Sequence, residues 1–252
     1  MRQARQTVTH FITAVALALG FCGPALATEG KALRVGVIGN SPPMSYVDER
    51  GRLTGLNIDL AVALCETINA RCELVQVPLH GVIELLADNE LDFAAVSLLV
   101  TPERSKKVLF TKPYYRSLTF WLGKPGSLPE SHGQVVGVVS GSAQARHAAA
   151  QGWKTFQVTT HLELAEAVSS GRATGLLVPM LTAVPLMENK TIERLGLVSA
   201  TISAPGLTGN VGISVNPRLP ALRDKLDAAL DQLKRDGRFD RINSSYLPFK
   251  LQ

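Results

Sequence analysis

Short apolar segments typical of β-strands alternate with segments of helical periodicity along the first part of the chain. Residues 32–37, 72–77 and 92–99 are rich in branched apolar residues, and helical spacing occupies 59–69 and 82–89 between them. Strands separated by helices in this way usually pair in parallel and are covered by the helices. The sequence therefore predicts an α/β fold.

A second block of the same kind lies in the middle of the chain. We predict its strands at 135–139 and 174–178 and its helices at 143–152, 162–168 and 182–189. Glycine and proline occur at both ends of this block. We therefore expect the chain to pass between two lobes near 118–124 and again near 206–212.

The C-terminal segment predicts one more strand and an amphipathic helix. Residues 211–215 are apolar and β-branched, and Leu222, Leu226, Leu230 and Leu233 then recur at helical spacing. Gly237 is expected to end this helix, because glycine readily adopts the left-handed conformation that follows a helix.

The first 27 residues have the features of a secretory signal peptide. Arg2 and Arg5 precede an apolar run at 11–21 that is too short to span a bilayer, and Ala25 and Ala27 form a cleavage pattern. We predict cleavage after Ala27 and export to the periplasm, with an uncleaved anchor as the alternative. The 225 residues that remain carry a net charge of +3, without the basic stripe that nucleic-acid binding requires.

Two cysteines remain after cleavage, Cys65 and Cys72, at the end of a predicted helix and the start of a strand. Paired cysteines are more common than free ones in an oxidising compartment, so we predict a disulfide. Closing so short a loop stabilises the fold by about 2.5 kcal/mol in the chain-entropy model. Catalytic redox use is the alternative interpretation.

Arg104 lies in the first turn of a predicted helix that begins where a strand has just ended. Thr101 suits an N-cap and Pro102 the first helical position, so free amides and the helix dipole are expected to attract an anion there. The planar fork of Arg104 can hold a carboxylate through two parallel hydrogen bonds. On the residues alone, a solvated first-turn charge is an equal alternative.

Ser140, Gly141 and Ser142 form a tight turn between a predicted strand and a predicted helix. Backbone amides and the Ser142 hydroxyl at such a helix start can bind an anion, and Ser142 can also serve as a plain N-cap.

Three longer stretches carry a family resemblance: PPMSYVDERGRLTGLNIDLAVAL, SLLVTPERSKKVLFTKPYY and VVGVVSGS. Together they resemble family 3 of the extracytoplasmic solute-binding proteins, which serve polar amino-acid ABC transporters. CETINARC followed by VPLHGVIELL is similar to the histidine-binding and lysine/arginine/ornithine-binding members. The resemblance implies a two-lobed periplasmic-binding-protein (type II) fold, with two α/β lobes joined by two hinge strands. Residues 28–119 and 210–252 would form lobe 1, and residues 120–209 lobe 2.

The resemblance also implies roles for individual residues. Arg104 would hold the α-carboxylate of the ligand, with Gly141 and Ser142 on the opposing lobe. Family members of the histidine type also use a hydroxyl where this chain has Ala143.

Several expected ligand positions differ from the family pattern. Hydroxyl residues are expected where this chain has Val96, Ser97 and Leu99, and only Ser97 keeps the hydroxyl. Ser41 replaces a stacking tyrosine, and Leu79 occupies a position where members have an aromatic residue or leucine. We expect Ser97, Leu99, Ser41 and Leu79 to contact the ligand, in part through their backbone groups.

Two acids of the family pattern are replaced by uncharged residues. Pro179 stands where an acid binds the α-ammonium, and Ile38 where a second acid recognises a cationic side chain. A buried ammonium needs a paired anion or several acceptors. The sequence therefore favours an amine-free carboxylate, or a ligand whose amine is bound elsewhere, over a basic amino acid.

The predicted function is that of a monomeric solute-binding protein that captures a small carboxylate or amino-acid-like ligand and delivers it to an ABC permease in the inner membrane. No cofactor is expected, and the histidines at 80, 132, 147 and 161 lack metal-ligand spacing. A sensor or accessory subunit on the same fold is one alternative. Another is a secreted enzyme resembling cyclohexadienyl dehydratases, which would need an acid or base where Pro179 stands, so no enzyme activity is expected.

Overall fold

The computed structural model describes residues 31–251, which fold into two α/β lobes, each built around its own sheet. The predicted signal peptide lies outside the described residues. The strands are β1 (Leu33–Val37), β2 (Asn40–Ser41), β3 (Ser45–Val47), β4 (Leu53–Thr54), β5 (Cys72–Gln76), β6 (Phe93–Leu99), β7 (Leu109–Phe110), β8 (Tyr115–Ser117), β9 (Thr119–Gly123), β10 (Val136–Val139), β11 (Thr155–Val158), β12 (Gly175–Pro179), β13 (Val198–Ile202) and β14 (Gly209–Val215).

The α-helices are α1 (Leu56–Thr67), α2 (Val82–Ala87), α3 (Pro102–Ser105), α4 (Ala143–Ala150), α5 (Leu164–Ser169), α6 (Met180–Met187), α7 (Lys190–Arg194), α8 (Pro220–Arg235) and α9 (Arg238–Tyr246). Two 3-10 turns, Leu79–Gly81 and His161–Glu163, precede α2 and α5. Within the described residues, no helix is both long enough and apolar enough to cross a membrane.

The sheet of the first lobe has the strand order β5-β1-β6-β14-β7, and β8 pairs with the far end of β14. β1 runs parallel to β5 and β6, whereas β14 is antiparallel to β6. Alternate residues of β6 enter different cores: Phe93 and Ala95 face α1, α8 and α9, and Ala94 and Val96 pack with α2. Burial on both faces explains why the strand reads as a continuous apolar run.

The sheet of the second lobe has the order β11-β10-β12-β9-β13. β10 runs parallel to β11 and β12, and β9 is antiparallel to both β12 and β13. Its two faces are covered by separate apolar clusters, one around Leu164 and Leu176 and one around Trp121 and Val138.

The chain passes between the two sheets twice. β8 pairs in the first sheet and β9 in the second, so Leu118 alone separates them. The return path runs through residues 203–208, between β13 and β14. These two adjacent segments are the covalent connections between the lobes.

Two helix boundaries show how local sequence sets the elements. α8 ends at Arg235 and Gly237 follows with φ 75°, which confirms the predicted stop. α1 begins one turn before the predicted start at Asp59, because Gly55, with φ 121°, serves as its N-cap. A Cβ there would lie 2.6 Å from the Met44 carbonyl oxygen, so the turn requires glycine.

Cys65 in α1 and Cys72 at the start of β5 form the predicted disulfide, with their Cα atoms 6.2 Å apart. The bridge ties the end of α1 to the edge strand of the first sheet.

Replacing both cysteines by alanine is expected to lower the unfolding midpoint by about 5–10 °C. The loop-entropy term of about 2.5 kcal/mol is lost, and each kcal/mol corresponds to about 2–4 °C in a protein of this size. Calorimetry of the double variant and of reduced wild type checks this, because both should show the same loss. An unchanged midpoint in the reduced wild type would show that the bridge does not stabilise the fold.

Candidate functional site

A bulge in the central strand of the first lobe shapes one wall of the cleft. Between Ala94 and Leu98 of β6, three residues face the single residue Ile213 of β14. Ser97, the last of the three, has φ 55°, which is uncommon for a residue with a side chain. Bulges of this kind redirect a strand and occur frequently beside binding sites.

Arg104 follows this strand in α3, which is a single turn of four residues. The Thr101 hydroxyl caps that turn by accepting a hydrogen bond from the Arg104 backbone amide at 3.4 Å. The expected pull of a helix dipole on an anion is therefore weak, since one turn contributes few aligned peptide units. The guanidinium itself is the main cationic feature at this position.

The guanidinium of Arg104 is buried, with 5% of the residue exposed, and it lies at the boundary between the lobes. Nη1 donates to the Leu99 carbonyl oxygen at 2.9 Å, and Nη2 donates to the Gly141 carbonyl oxygen of the second lobe at 3.2 Å. Nε is buried without an acceptor, and within residues 31–251 no carboxylate forms a salt bridge with this side chain. Of its five N–H groups, most remain available.

A second guanidinium increases the positive potential at this boundary. Arg146 of α4 also donates to the Gly141 carbonyl oxygen, through Nη1 at 2.9 Å. Burial, followed by repulsion from Arg146, lowers the pKa of Arg104 to about 9, so the group is still a cation at neutral pH. Burial also lowers the pKa of Arg146, which Glu103 and Glu84 oppose.

Gly141 packs closely against the backbone of the first lobe. Its φ is 77°, and a Cβ built on it would lie 2.4 Å from the Cα of His80 in the first lobe. Any other residue here would push the two backbones apart. The turn that carries Gly141 therefore lies directly against the 3-10 turn at Leu79–Gly81.

Ser142 is the N-cap of α4, and its Oγ accepts a hydrogen bond from the Ala145 amide at 3.0 Å. The hydroxyl proton remains free to donate to a ligand, so capping and binding are compatible.

The Ser97 hydroxyl belongs to a hydrogen-bonded network with Asn57 and Tyr114. Its Oγ accepts from Asn57 Nδ2 at 2.9 Å and lies 3.2 Å from the Tyr114 hydroxyl, which donates to Asn57 Oδ1 at 3.0 Å. This network holds the bulge in β6, and both Ser97 and Asn57 line the cleft.

The two lobes enclose a cavity of about 60 Å³, room for on the order of four water molecules. Of the predicted site residues, Ser41, Leu79, Ser97, Leu99, Arg104 and Ser142 line it, whereas Gly141 does not and instead contacts Arg104. Apolar residues form much of the remaining wall, among them Ile38, Val96, Val139, Leu177, Pro179 and Leu181.

Sequence reasoning missed several polar lining residues. Asn57, Gln144, His161 and Thr182 all face the cavity. The position of Gln144, two residues after Ser142, could have indicated its role. No local signal marks His161 or Thr182, because only the packing of the lobes brings their elements to the cleft.

Gln144 connects the cavity to both segments that join the lobes. Its Nε2 donates to Thr119 Oγ1 at 2.7 Å, and that hydroxyl donates to the Leu207 carbonyl oxygen at 2.6 Å. Thr119 follows the first crossing and Leu207 lies in the second, so a change at Gln144 reaches both connections directly.

His161 begins the 3-10 turn after β11, and this turn lies beside the β2 segment of the first lobe. Its Nδ1 is buried with no hydrogen-bond partner among the described residues. Burial lowers the pKa of His161 to about 4, so the imidazole is neutral at pH 7.

The sequence matches the profile of the bacterial extracellular solute-binding proteins, family 3, over residues 33–249. The chain belongs to this family. The match covers both lobes and confirms the family resemblance that the motifs around Arg104 and Ser142 indicate.

Relatives in the family are similar along nearly their whole length. ABC transporter arginine-binding protein 1 of Escherichia coli (strain K12) is 28% identical over 228 residues, which cover 88% of this chain and 93% of the relative. The histidine-binding periplasmic protein of the same strain is 23% identical over 246 residues, with 93% and 95% covered. The solved structure of an ancestral arginine-binding protein bound to arginine has a TM-score of 0.74 at 28% identity, covering 86% of this chain and 98% of that chain. These relatives are named as binding proteins.

Gly141→Ala is expected to weaken ligand binding at least tenfold, because the added methyl group would meet His80 and hold the lobes apart. Gly152→Ala is the matched control: its φ is 69° and nothing lies within 4 Å of the added Cβ. Both variants carry the backbone cost of about 1 kcal/mol. Calorimetric titration with a stabilising carboxylate tests this, and equal affinities in the two variants would contradict it.

Wild type is expected to lose more stability on acidification than His161→Gln. The pKa of His161 is near 6.5 in the unfolded chain and about 4 in the fold. Between these values only the unfolded chain binds the proton, so stability falls as the pH drops from 6.5 toward 4. Chemical denaturation at pH 7 and pH 5 should show an excess loss in wild type of about 1–2 kcal/mol. Parallel losses in the two proteins would contradict the burial of the imidazole.

Proposed function

We propose that this protein captures a small carboxylate-bearing solute between its lobes in the periplasm and delivers it to an ABC permease in the inner membrane. The observation that carries this proposal is Arg104, a buried cation that forms no salt bridge with a carboxylate of the described residues. An unpaired buried charge is costly to the folded state. A carboxylate from the ligand would pair with it and favour the closed arrangement of the lobes.

The lining of the cavity favours a ligand without an amine. Arg104, Tyr115 and His161 are the ionisable side chains among its described lining residues, and none of them is a carboxylate. A carboxylate alone would neutralise Arg104, whereas an amino acid would leave one positive charge in excess and arginine two. Some relatives are named for binding arginine. We infer that this chain instead prefers a carboxylate whose remaining part is uncharged over an amino acid or arginine.

Closure would occur by rotation of the lobes about their two connections. We propose that the lobes move as two bodies with boundaries close to those expected from the sequence, residues up to 117 with those from 209 onward forming one and residues 119–202 the other, and that they bend at Leu118 and the 203–208 segment. The protein would act as a monomer after cleavage of residues 1–27, and the exposed faces of both lobes would meet the permease.

The site does not favour an enzyme on this scaffold. Pro179 lines the cavity at the position where a dehydratase-like mechanism would need an acid or base. His161 would be a poor base at neutral pH, because burial lowers its pKa to about 4.

A thermal-shift screen of the mature protein, refolded to remove bound ligand, is the first test. The panel contains the common amino acids together with small keto, hydroxy and unsubstituted acids. A ligand at a hundred times its dissociation constant should stabilise the fold by about 2.7 kcal/mol, which raises the midpoint by several degrees. Stabilisation by amine-free acids is expected. Stabilisation by arginine or lysine alone would contradict the charge argument.

Arg104→Ala is expected to reduce affinity for the stabilising acid about thirtyfold or more, since a charge-assisted hydrogen-bonded pair contributes about 2 kcal/mol or more. Arg104→Lys should recover only part of the loss, because lysine lacks the planar fork. Lys106→Ala, which removes an exposed cation adjoining the same turn, is the control and should bind normally. An affinity loss below threefold in Arg104→Ala would overturn the assignment.

A further inference from the structure

The two connections between the lobes are tied to each other at two levels. On the side of the first lobe, Ser117 of β8 pairs with Gly209 of β14 in the sheet. On the side of the second lobe, the Thr119 hydroxyl donates to the Leu207 carbonyl oxygen at 2.6 Å. Each tie holds the two connections together, so bending is confined to the short stretch between the ties.

Leu207 belongs to the second lobe, although it lies in the 203–208 segment. Its side chain is fully buried in the apolar cluster around Trp121. Its amide donates to the Ala204 carbonyl oxygen at 3.1 Å and closes a turn in which Gly206 has φ 81°. A proline followed by such a glycine is typical of a type II turn, which has a defined backbone conformation. The second connection therefore bends after Leu207.

One residue of each connection, Leu118 and Thr208, lies between the two ties, and these two residues form the hinge. The Leu118 carbonyl oxygen accepts hydrogen bonds from the Met180 amide at 2.9 Å and from Ser117 Oγ at 3.2 Å. Thr208 differs, because its Oγ1 is buried and has no hydrogen-bond partner among the described residues. Buried polar atoms are seldom left unsatisfied in native proteins, so this hydroxyl requires an explanation.

The unpaired hydroxyl is costly in the present arrangement of the lobes, which meet across the cleft through the hydrogen bond from Arg104 to Gly141. Thr208 as a whole is only half-buried, so a small rotation at the hinge would bring water to its Oγ1. The separated arrangement of the lobes would then gain a hydrogen bond that the closed arrangement lacks.

We propose that Thr208 is a positioning residue of the hinge, whose hydroxyl favours the separated lobes and thereby lowers the affinity for any ligand that closes them. This inference rests on the proposed function, since it requires a ligand that binds between the lobes. Thr208 is not among the residues that line the cavity, so it acts through the balance between the open and closed arrangements. A residue of this kind changes affinity by one common factor, whatever the ligand.

Thr208→Val replaces the hydroxyl by a methyl group of similar size and removes the unpaired atom from the closed arrangement. Calorimetric titration compares it with wild type, using the probes of the thermal-shift panel that stabilise wild type, beginning with pyruvate, lactate, propionate and arginine. Each of them should bind Thr208→Val at least about fivefold more tightly, by a common factor. Thr208→Ala should act in the same direction, and Thr208→Ser, which keeps the hydroxyl, should not show the gain.

Thr201→Val is the matched control, because it makes the same change at an exposed position of β13, and it should leave every affinity unchanged. Affinities that stay equal or fall in Thr208→Val, or that rise by different factors for different probes, would overturn the role of Thr208 and leave the carboxylate site standing. If no probe of the panel binds wild type, the proposed function falls and this inference falls with it.

Discussion

The buried guanidinium of Arg104 is the interaction around which the site is organised. It donates hydrogen bonds to the Leu99 carbonyl oxygen in one lobe and to the Gly141 carbonyl oxygen in the other. The group that would bind the ligand therefore also links the two lobes. Its charge has no carboxylate partner in the described chain, and burial leaves it poorly solvated. An anion that entered the cleft would remove this cost in the closed state, which is how binding energy can be converted into lobe closure.

The rest of the fold places this group and limits what can approach it. The bulge at Ser97, held by Asn57 and Tyr114, turns β6 before the turn that carries Arg104. Because Gly141 has no side chain, the backbone of the second lobe can pack directly against His80 of the first lobe. The path from Gln144 through Thr119 to the second crossing links the cavity wall to the segments that must bend.

Hydrophobic periodicity, glycine and proline predict the α/β alternation and the turns beside Arg104 and Ser142, because these depend on residues that are close in sequence. The disulfide follows from the two cysteines that remain in an oxidising compartment. The short length of α3 is not predictable in this way, and a single turn of four residues supports a weaker anion site than the longer helix that the sequence predicts. His161 and Thr182 were missed for a different reason. Their elements reach the cavity only through the packing of one lobe on the other, which leaves no local pattern.

The central claim is that a ligand carboxylate completes the environment of Arg104, and a chemical double-mutant cycle tests it most directly. The affinity of the best-binding acid is compared with that of its carboxamide, which has the same shape and no charge, in wild type and in Arg104→Ala. We predict a strong preference for the acid in wild type and little or none in the variant. A carboxamide that binds wild type as tightly as the acid, or a preference that persists without Arg104, would contradict the account.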